Sequence, residues 1–580
     1  MISRLPSFLL ALALGCSTTA FAADDYKPGP DSVAQAGVPK GELIKDSFVA
    51  RSKSVFPGTE REVTLYVPTQ LDKTKPAPFM VFQDGVIYQA PVVFDNLIAK
   101  KELPPMIGIF LKPGVVPAAS KDALPRFNRS LEYDRVDPTY STFLINEVLP
   151  WVKQKHGLNL SDNPDDRAIA GSSSGGICAF CVAWFRPDAF RRVFTNVGTY
   201  VGLRGGNDLP TLVRKTEPKP IRVFLQDGAN DQNIYGGNWF IANQDMLSAL
   251  EWAGYDVNHI WGEGGHNQKQ ATTVFPDAMR WLWRDYPQPI KADAKGESKS
   301  KVYESVAQDD GWQVVSEGHG FTEGPATNAK GEVFFSDIPK SLIHKIGLDG
   351  KVSVFAENTG KGNGLGFGPD GRLFACADGR QQITAYTPDG KATVVAEGFG
   401  SNDLCVTHEG NVYVTDPPGK KVWLITNNGD KKVVDEGGYT FPNGVRLSPD
   451  QSLLYVCDSK GRYVYSYCIQ ADGTLANKQK YFYLHTDDDA VASDDGMTLD
   501  VEGRLYVCTS TGVQIFDQAG RVNAILPKPQ NKWLANIVFG GKDFDELYVT
   551  CADKVYKRKA KVKGVISGIQ APIKPVAPHL

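Results

Sequence analysis

The stretch Arg167-Ala-Ile-Ala-Gly-Ser-Ser-Ser-Gly-Gly176 decides the fold of the N-terminal half. It starts as a short apolar strand, and a helical pattern begins at Ile177. The Gly-x-Ser-x-Gly motif between strand and helix is typical of a nucleophile elbow, a tight turn that lifts a serine above the edge of a sheet. The motif therefore predicts Ser173 as a nucleophile at the end of a central strand.

Apolar strands and helical stretches alternate on both sides of this motif, from about 51 to 287. Such alternation is typical of a mostly parallel sheet with helices on both faces. We therefore predict an α/β-hydrolase domain over residues 40–288. The predicted strands are 78–82, 106–111, 167–170, 193–197, 221–225 and 257–261, and the two longest predicted helices are 140–155 and 239–253.

A serine hydroxyl needs a base and an orienting acid before it becomes a good nucleophile. In this fold the acid follows the serine in the chain and the histidine comes last. His259 lies inside the final predicted strand, where a packed histidine is favoured, whereas His266 follows that strand in a loop. Asp227 and Asp231 both follow the preceding strand, and Asp231 is favoured because it lies further into the loop. The predicted triad is Ser173, Asp231 and His266.

Acyl transfer also needs two backbone N–H groups for the developing oxyanion. Ser174 follows the nucleophile and supplies the first of them in this fold. For the second we nominate Gly85 and Val86, in the turn after the first central strand, because a glycine allows close approach of the backbone.

The second half of the chain is built from repeats. Six copies of one phrase recur 39 to 51 residues apart, each leading into a second strand. Repeats of this length made of short strands predict a β-propeller, here with six blades. The copies are Gly331-Glu-Val-Phe-Phe335, Gly371-Arg-Leu-Phe-Ala375, Gly410-Asn-Val-Tyr-Val414, Ser452-Leu-Leu-Tyr-Val456, Gly503-Arg-Leu-Tyr-Val507 and Asp545-Glu-Leu-Tyr-Val549.

A polar stretch rich in small residues, 289–310, separates the two halves and is typical of a linker. We place the propeller at 311–564. The tail that follows, 565–580, contains three prolines, and we predict it to be loosely ordered. The predicted fold class is multidomain: an α/β hydrolase with a mostly parallel sheet, followed by an all-β six-bladed propeller.

One oxygen-bearing side chain precedes each repeated phrase by eight or nine residues. The innermost strand of each blade borders the central channel, so equivalent positions should form one ring around the axis. Turn formation explains one or two such positions, but not six in register. Oxygen donors with two carboxylates suit a hard cation, above all Ca²⁺, and the absence of His and Cys from these positions argues against zinc or copper. The predicted ring contains Glu323, Asn363, Asn402, Asn443, Asp495 and Asn536.

The N-terminus has the pattern of a Sec signal peptide. One early positive charge, an apolar run and the triplet Ala20-Phe-Ala22 predict a signal peptide over residues 1–22. Lipoprotein processing at Cys16 is a minor alternative, because the usual leucine three residues before the cysteine is missing. No later segment is apolar enough to span a membrane, so we predict a periplasmic or secreted protein.

The charge of the chain and the positions of its cysteines bear on its binding partners and on disulfide formation. The formal net charge is −3 with acids and bases well mixed, which argues against binding to nucleic acid. Cys376, Cys457 and Cys508 occupy matching places in different repeats, so we predict free thiols in the core rather than disulfides. The expected partner is a small-molecule ester or lactone, and the oligomeric state is not predicted.

The first half resembles the enterochelin-esterase and feruloyl-esterase-like group of α/β hydrolases, over about 60–286. That group contains serine esterases that act on siderophore trilactones, feruloylated or acetylated sugars and related acyl esters. The resemblance supports Asp231 over Asp227 as the acid. The motifs that carry it are Phe82-Gln-Asp-Gly85, Arg129-Ser-Leu-Glu-Tyr133, Phe143-Leu-Ile-Asn-Glu-Val-Leu-Pro150, Gly171 to Gly176, Gly228-Ala-Asn-Asp231 and Gly264-Gly-His266.

The second half resembles the gluconolactonase, regucalcin (SMP-30) and luciferin-regenerating-enzyme family, over about 312–556. The motifs that carry this resemblance are Phe321-Thr-Glu-Gly-Pro325, Ser401-Asn-Asp403, Phe441-Pro-Asn-Gly444, Ser493-Asp-Asp-Gly-Met497 and Asn536-Ile-Val-Phe-Gly-Gly541. The resemblance implies one divalent metal, usually calcium, at Glu323, Asn443 and Asp495, with Asn402 bound to it or beside it.

Metal-ion catalysis of lactone hydrolysis follows from this resemblance, with Asp495 as general base. We assign the other two ring positions, Asn363 and Asn536, to substrate binding. The animal sugar lactonases of the family carry a substrate-binding Arg just before the Asn that matches Asn402, whereas Gly400 and Ser401 stand there in this chain.

Together these features predict an exported bifunctional carboxylic-ester hydrolase. A Ser-His-Asp esterase that needs no cofactor is joined to a metal-dependent lactonase, and both act on acyl esters or lactones of sugars or hydroxy acids. The alternative is a serine esterase whose propeller is a non-catalytic module that binds carbohydrate or another ligand, since propellers often only bind. The two hypotheses differ in whether the metal supports turnover or only stability.

Overall fold

Six parallel strands form the centre of the N-terminal sheet, and they are the six that the sequence predicts. The computed structural model describes residues 26–309, 311–486 and 492–577. The predicted signal peptide and Cys16 lie outside these described residues. The ten-stranded sheet has the order β12-β9-β8-β7-β3-β4-β2-β5-β6, with β1 paired to β2. Its strands are β1 Glu42–Val49, β2 Glu60–Val67, β3 Phe79–Gln83, β4 Ile107–Leu111, β5 Val115–Val116, β6 Arg126–Phe127, β7 Arg167–Ser172, β8 Arg192–Asn196, β9 Arg222–Gly228 and β12 Asp256–Gly262, and a separate hairpin contains β10 Asn233–Ile234 and β11 Gly237–Asn238.

Helices cover both faces of this sheet. One apolar core joins it to α3 through α7, and a second joins it to α1 and α8. Because the parallel strands are buried on both faces, they read as continuous apolar runs in the sequence. The predicted α/β-hydrolase architecture is confirmed. The helices are α1 Ala90–Ala99, α2 Arg129–Tyr133, α3 Thr139–Phe143, α4 Leu149–His156, α5 Ser174–Phe185, α6 Leu209–Lys215, α7 Trp239–Ala253, α8 Lys269–Leu282 and α9 Val302–Ser305, with a π-helical turn at Leu144–Val148 between α3 and α4.

The second half is a six-bladed propeller, as the repeats predict. Each blade is a four-stranded antiparallel sheet, and the closing blade takes its outermost strand, β13, from the start of the domain. The blades, each from its innermost strand outward, are β14 Thr322–Thr327, β15 Val333–Asp337, β16 Leu342–Ile346, β17 Val352–Ala356; β18 Gly362–Phe367, β19 Leu373–Ala377, β20 Gln382–Tyr386, β21 Ala392–Glu397; β22 Leu404–Val406, β23 Val412–Asp416, β24 Lys421–Ile425, β25 Lys431–Glu436; β26 Pro442–Leu447, β27 Leu453–Asp458, β28 Tyr463–Ile469, β29 Leu475–Tyr483; β30 Met497–Leu499, β31 Leu505–Thr509, β32 Gly512–Phe516, β33 Val522–Leu526; and β34 Leu534–Gly540, β35 Glu546–Cys551, β36 Lys554–Lys559, β13 Gln313–Glu317.

The first part of the predicted tail packs against the propeller, whereas 571–577 have no regular structure and are mostly exposed. Residues 565–568 line one end of the propeller channel, beside the last residues of the innermost strands. The Ser567 hydroxyl donates to the Val406 carbonyl at 2.8 Å, and the Ile573 N–H donates to the Pro449 carbonyl at 2.8 Å. The prolines prevent regular structure in this segment, but its backbone and side chains still pair with the inner strands and their turns.

The predicted linker is more than a spacer. It contains α9, and Val302 and Val306 are fully buried in the propeller core. The two halves also touch directly, because the segment after α6 runs parallel to β33 and the Glu217 N–H donates to the Ile525 carbonyl at 3.0 Å. The Glu217 carboxylate accepts two hydrogen bonds, of 2.7 and 2.8 Å, from the buried guanidinium of Arg558.

The sequence also predicts free cysteines in the core and no later membrane-spanning segment. All eight cysteines in the described part of the chain are free, and seven of them are buried. No helix among the described residues is long and apolar enough to cross a membrane.

Candidate active sites

Ser173 occupies a strained turn between β7 and α5. Its backbone has φ +60° and ψ −121°, a conformation that non-glycine residues rarely adopt outside such functional turns. A Cβ at Gly171 would lie 2.0 Å from the Gly175 carbonyl oxygen, so only glycine allows the helix to approach the strand this closely. The strand-turn-helix context predicted for the motif is present.

The loops that follow β9 and β12 bring an acid and a base to this serine. His266 Nε2 lies 2.7 Å from Ser173 Oγ, and His266 Nδ1 lies 2.6 Å from Asp231 Oδ1. The two loops are in contact, because the Ala229 N–H donates to the Gly262 carbonyl at 2.7 Å. The structure thus brings together the three side chains of the predicted triad, and their catalytic role stays a prediction.

The rejected candidates lie nearby. His259 is on β12, with its ring 4.9 Å from that of Trp261, as expected of a packed histidine. Asp227 is fully buried near the end of β9, where burial and the neighbouring carboxylate of Asp231 raise the pKa of its carboxyl group. Asp227 Oδ2 and Asp231 Oδ2, together with Asn243 Oδ1, are buried without a hydrogen-bond partner among the described residues. If Asp227 is protonated, its hydroxyl can donate a hydrogen bond to one of these buried oxygen atoms.

Trp239 and Thr199 complete the surroundings of the serine. The Trp239 ring packs edge-on against His266, with 5.6 Å between ring centroids, and its indole N–H points to Thr199 Oγ1 at 3.3 Å. Thr199 Oγ1 is in turn 3.3 Å from Ser173 Oγ. These contacts fix the imidazole ring and the serine hydroxyl in one arrangement.

Of the predicted oxyanion donors, Ser174 stays a prediction, and the structure argues against Gly85. Ser174 is the first residue of α5, where a backbone N–H has no acceptor within the helix. The Gly85 N–H, however, donates to the Leu111 carbonyl at 2.9 Å, so it is not available to a substrate. Sequence reasoning could not foresee this bond, because Gly85 meets β4 only through the parallel pairing of β3 and β4. Val86 is half-exposed in the same turn, and its predicted role is untested.

The serine opens into a cavity of about 540 Å³. One wall carries the ion pair between Arg129 and Asp84, with two N–O distances of 2.8 Å. The lining also includes Ile234 and Tyr235 of the β10–β11 hairpin, whose apolar side chains are exposed. The cavity is lined by Asp84, Arg129, Ser172, Ser173, Leu203, Gln232, Ile234, Tyr235, Trp239, His266, Asn267 and Gln268.

The predicted ring around the propeller axis has contacts between neighbouring blades. A Cβ at Gly324 would lie 2.0 Å from the Asn363 carbonyl oxygen, and one at Gly496 would overlap the amide of Asn536. The Gly364 N–H donates to the Asn402 carbonyl at 2.9 Å. Across the closing blade, Asn536 Nδ2 donates to Glu323 Oε2 at 3.1 Å. Several of the predicted positions are therefore neighbours across adjacent blades, and the complete ring of six side chains stays a prediction.

Negative charge accumulates at this ring. Burial raises the pKa of Glu323 and the nearby carboxylate of Asp403 raises it further, while burial and the charge of Glu323 raise the pKa of Asp495. Arg446 offsets Asp403 through a 3.0 Å ion pair. Two buried carboxylates near one another favour a cation between them, so the donor set fits a divalent metal with oxygen ligands.

The other ring side chains have defined neighbours. Asn443 Nδ2 donates to Ser459 Oγ at 2.9 Å, which leaves its amide oxygen as the coordinating atom. The indole N–H of Trp533 donates to Asp495 Oδ2 at 2.7 Å. Asn363 and Asn402 are both partly exposed to solvent.

Sequence reasoning missed the side chains that tune these two sites. Asp403, Arg446 and Trp533 surround the metal-ligand positions, but none occupies the repeated register. Asp84 and Arg129 lie 45 positions apart and pair only in the folded chain. The motif Ser401-Asn-Asp403 contained one usable signal, since its Asp directly follows a ring position.

Two family models match the chain. The model described as "Putative esterase" matches residues 54–315, and the model for the "SMP-30/Gluconolactonase/LRE-like region" matches residues 321–553. The chain is 26% identical to a gluconolactonase from Zymomonas mobilis over 296 residues, which are 43% of this chain and 82% of that protein.

Two further relatives cover one half each. An iron(III) enterobactin esterase from Dickeya dadantii is 25% identical over 254 residues, which are 40% of this chain and 54% of the esterase. Rabbit regucalcin is 29% identical over 150 residues, which are 25% of this chain and 45% of regucalcin. The chain thus spans about half the length of each of these two relatives. The matches support a hydrolase whose N-terminal half is similar to the esterase model and whose C-terminal half is similar to the SMP-30/gluconolactonase/LRE-like region.

Proposed function

We propose that this protein is an exported hydrolase with two ester-cleaving sites, a serine esterase in the α/β domain and a metal-dependent lactonase at the propeller axis. The observation that carries the first site is the chain of two short hydrogen bonds from Ser173 through His266 to Asp231. Export is inferred from the signal-peptide pattern of residues 1–22, and a mature N-terminus at Ala23 would test it.

The esterase geometry supports acyl transfer through a covalent intermediate. His266 Nε2 accepts the proton of Ser173 Oγ as that oxygen attacks the ester carbonyl carbon, while Asp231 holds the protonated ring through Nδ1. The Ser174 N–H stabilises the oxyanion, and the leaving alcohol takes its proton from His266. Water then hydrolyses the acyl-enzyme by the same proton transfers. The cavity of about 540 Å³ has room for a small organic ester with an apolar part against Leu203 and Trp239.

The axis supports lactone opening by water. A bound divalent cation, most simply Ca²⁺, would supply polarisation of the lactone carbonyl, and Glu323, Asn443 and Asp495, with Asn402 bound or adjacent, would hold it. Asp495 accepts the proton of the attacking water, and the bond from Trp533 to its Oδ2 fixes the plane of the carboxylate. Asn363, which is partly exposed, offers an amide group to substrate hydroxyls, whereas the amide of Asn536 is buried and already bonds Glu323 Oε2 and the Ile537 N–H.

The deciding experiment is lactone hydrolysis by Ser173→Ala protein over a panel of sugar lactones, with and without a chelator. Turnover that persists without the serine, stops on chelation and returns with Ca²⁺ would support the two-site proposal. Failure to hydrolyse any lactone, while the wild type still cleaves aryl esters, would leave the propeller as a ligand-binding module.

A further inference from the structure

Two histidines and an aspartate, none of them a member of the predicted axial ring, converge at the first blade of the propeller. His319 follows β13, Asp337 ends β15, and His344 lies on β16. One nitrogen or oxygen atom from each lies within 4.8 Å of the others. Because β13 is the outer strand of the closing blade, the cluster lies where the ring of blades is closed.

The imidazole of His344 has an unsatisfied nitrogen. The residue is 9% exposed, and Nε2 has no hydrogen-bond partner within the described part of the protein. The ring stacks on Phe335 with centroids 5.0 Å apart, and its centroid lies 4.9 Å from that of His319. Buried ring nitrogens are normally paired, so an orphaned one beside a second histidine and a carboxylate indicates a missing ligand.

The other two members are oriented for the same ligand. His319 Nε2 is 2.7 Å from Ser316 Oγ, an arrangement that leaves Nδ1 directed at Asp337 Oδ2, 3.4 Å away. Metal-binding histidines usually have their second nitrogen held by such a hydrogen bond, which fixes the tautomer. The Asp337 carboxylate is fully buried and receives long hydrogen bonds, of 3.1 to 3.4 Å, from the N–H groups of Gly320 and Phe321.

The charged neighbours allow a cation here. Lys340 Nζ lies 3.3 Å from Asp337 Oδ2 and donates to the Gly318 carbonyl at 2.8 Å, and its side chain is half-exposed. Burial lowers the pKa of both His319 and His344, which keeps the rings neutral and able to coordinate at pH 7.

We propose that His319, Asp337 and His344 form a second metal site, which binds a divalent transition metal of the zinc type. Two imidazoles and one carboxylate match the ligands that Zn²⁺ prefers, in contrast to the oxygen-only set at the axis. The ion would link the segment after β13 to β15 and β16. His319 also donates its N–H to the Asp553 carbonyl at 3.2 Å, so the ion would fasten the first blade to the closing blade.

Zinc uptake by chelator-treated full-length protein tests this site. The wild type should bind one Zn²⁺ more per chain than His344→Gln or His319→Gln. Zinc should raise the Tm of the wild type and not the Tm of either variant. Co²⁺ should give the visible absorption of a nitrogen-coordinated site in the wild type alone. His408→Gln, which alters an exposed histidine elsewhere in the propeller, is the matched control and should behave as the wild type.

Two further outcomes are decisive. Equal zinc uptake by the wild type and both histidine variants would overturn the proposal. If His344→Gln does not fold, His319→Gln decides alone. Glu323→Gln, at the axis, should still bind the extra zinc. If Glu323→Gln loses this zinc and His319→Gln keeps it, the zinc binds at the axis instead.

Discussion

The two halves of this chain build their sites in different ways, although both place functional side chains at the ends of strands. In the propeller, one register position recurs six times, once in or beside the innermost strand of each of the six blades. In the α/β domain, Ser173, Asp231 and His266 come from three unrelated loops, which meet only because β7, β9 and β12 belong to one sheet. A repeated site can be read from local sequence, whereas a non-repeated one needs a motif as a guide.

The two sites also differ in charge. The esterase cavity contains a compensated ion pair, Arg129 with Asp84, and a histidine paired with an aspartate. At the axis, Arg446 forms an ion pair with Asp403. Among the described residues, no ion pair joins Glu323 or Asp495 to a basic side chain, and the pKa of each is raised. The first site is ready for proton transfer, and the second favours a cation.

Ser173→Ala is expected to have the largest effect and to separate the halves completely. Loss of the nucleophile should reduce kcat for aryl esters by about 10⁴- to 10⁶-fold. Metal binding and lactone turnover at the propeller should not change. Steady-state kinetics on both substrate classes would check this, with the exposed Ser120→Ala as control. Equal losses on esters and lactones would mean that one site serves both.

Asp495→Asn is the corresponding change at the axis. Removing a metal ligand and general base should reduce lactone turnover by about 10²- to 10⁴-fold, with aryl ester hydrolysis unchanged. Isothermal titration with Ca²⁺ would show whether binding is lost in parallel. Asp472→Asn, at an exposed turn, is the control. A variant that binds no calcium but hydrolyses lactones normally would argue against metal-dependent catalysis.

Asp227 offers a finer test of the esterase side. Its pKa is raised, so its protonated form dominates below that raised pKa and is lost as the pH rises through it. Esterase activity should therefore fall on the alkaline side in the wild type, and the fall should disappear in Asp227→Asn, whose amide still donates a hydrogen bond.

Asp227→Leu removes the donor and should reduce kcat/KM at pH 7 by about 10- to 100-fold, the equivalent of one hydrogen bond to a charged group. The pH profiles of the three proteins would check both statements. An unchanged alkaline limb in Asp227→Asn would show that another group titrates there. Lactone turnover should be the same in all three.

Glu217→Gln is expected to have the smallest effect, because it alters the contact between the halves and neither site. The buried guanidinium of Arg558 would lose a charged partner but keep Asp309, at 3.1 Å. We expect a loss of about 1–3 kcal/mol in the free energy of unfolding. Calorimetry should show a lower Tm with both activities intact at 25 °C, and the exposed Glu409→Gln should melt as the wild type. No change in Tm would mean that the ion pair does not hold the halves together.

The sequence predicted much of the fold because its signals were local. Continuous apolar strands marked the parallel sheet, and the phrases from Gly331 to Val549 marked the blades. The first part of the tail was misread, since its prolines and lack of periodicity concealed contacts such as that of Ser567 with Val406. The turn at Gly85 was misread for a similar reason, because the partner of its N–H lies on another strand.

By itself, the sequence determined the two architectures, the nucleophile elbow and the register of the axial ring, because each depends on spacing along the chain. Only the tertiary structure decided that Asp231 rather than Asp227 faces His266, that Arg446 compensates Asp403, and that His319 meets His344. Those contacts join residues from different strands and loops. Their distances and burial are set by how the sheets pack, and no local pattern encodes them.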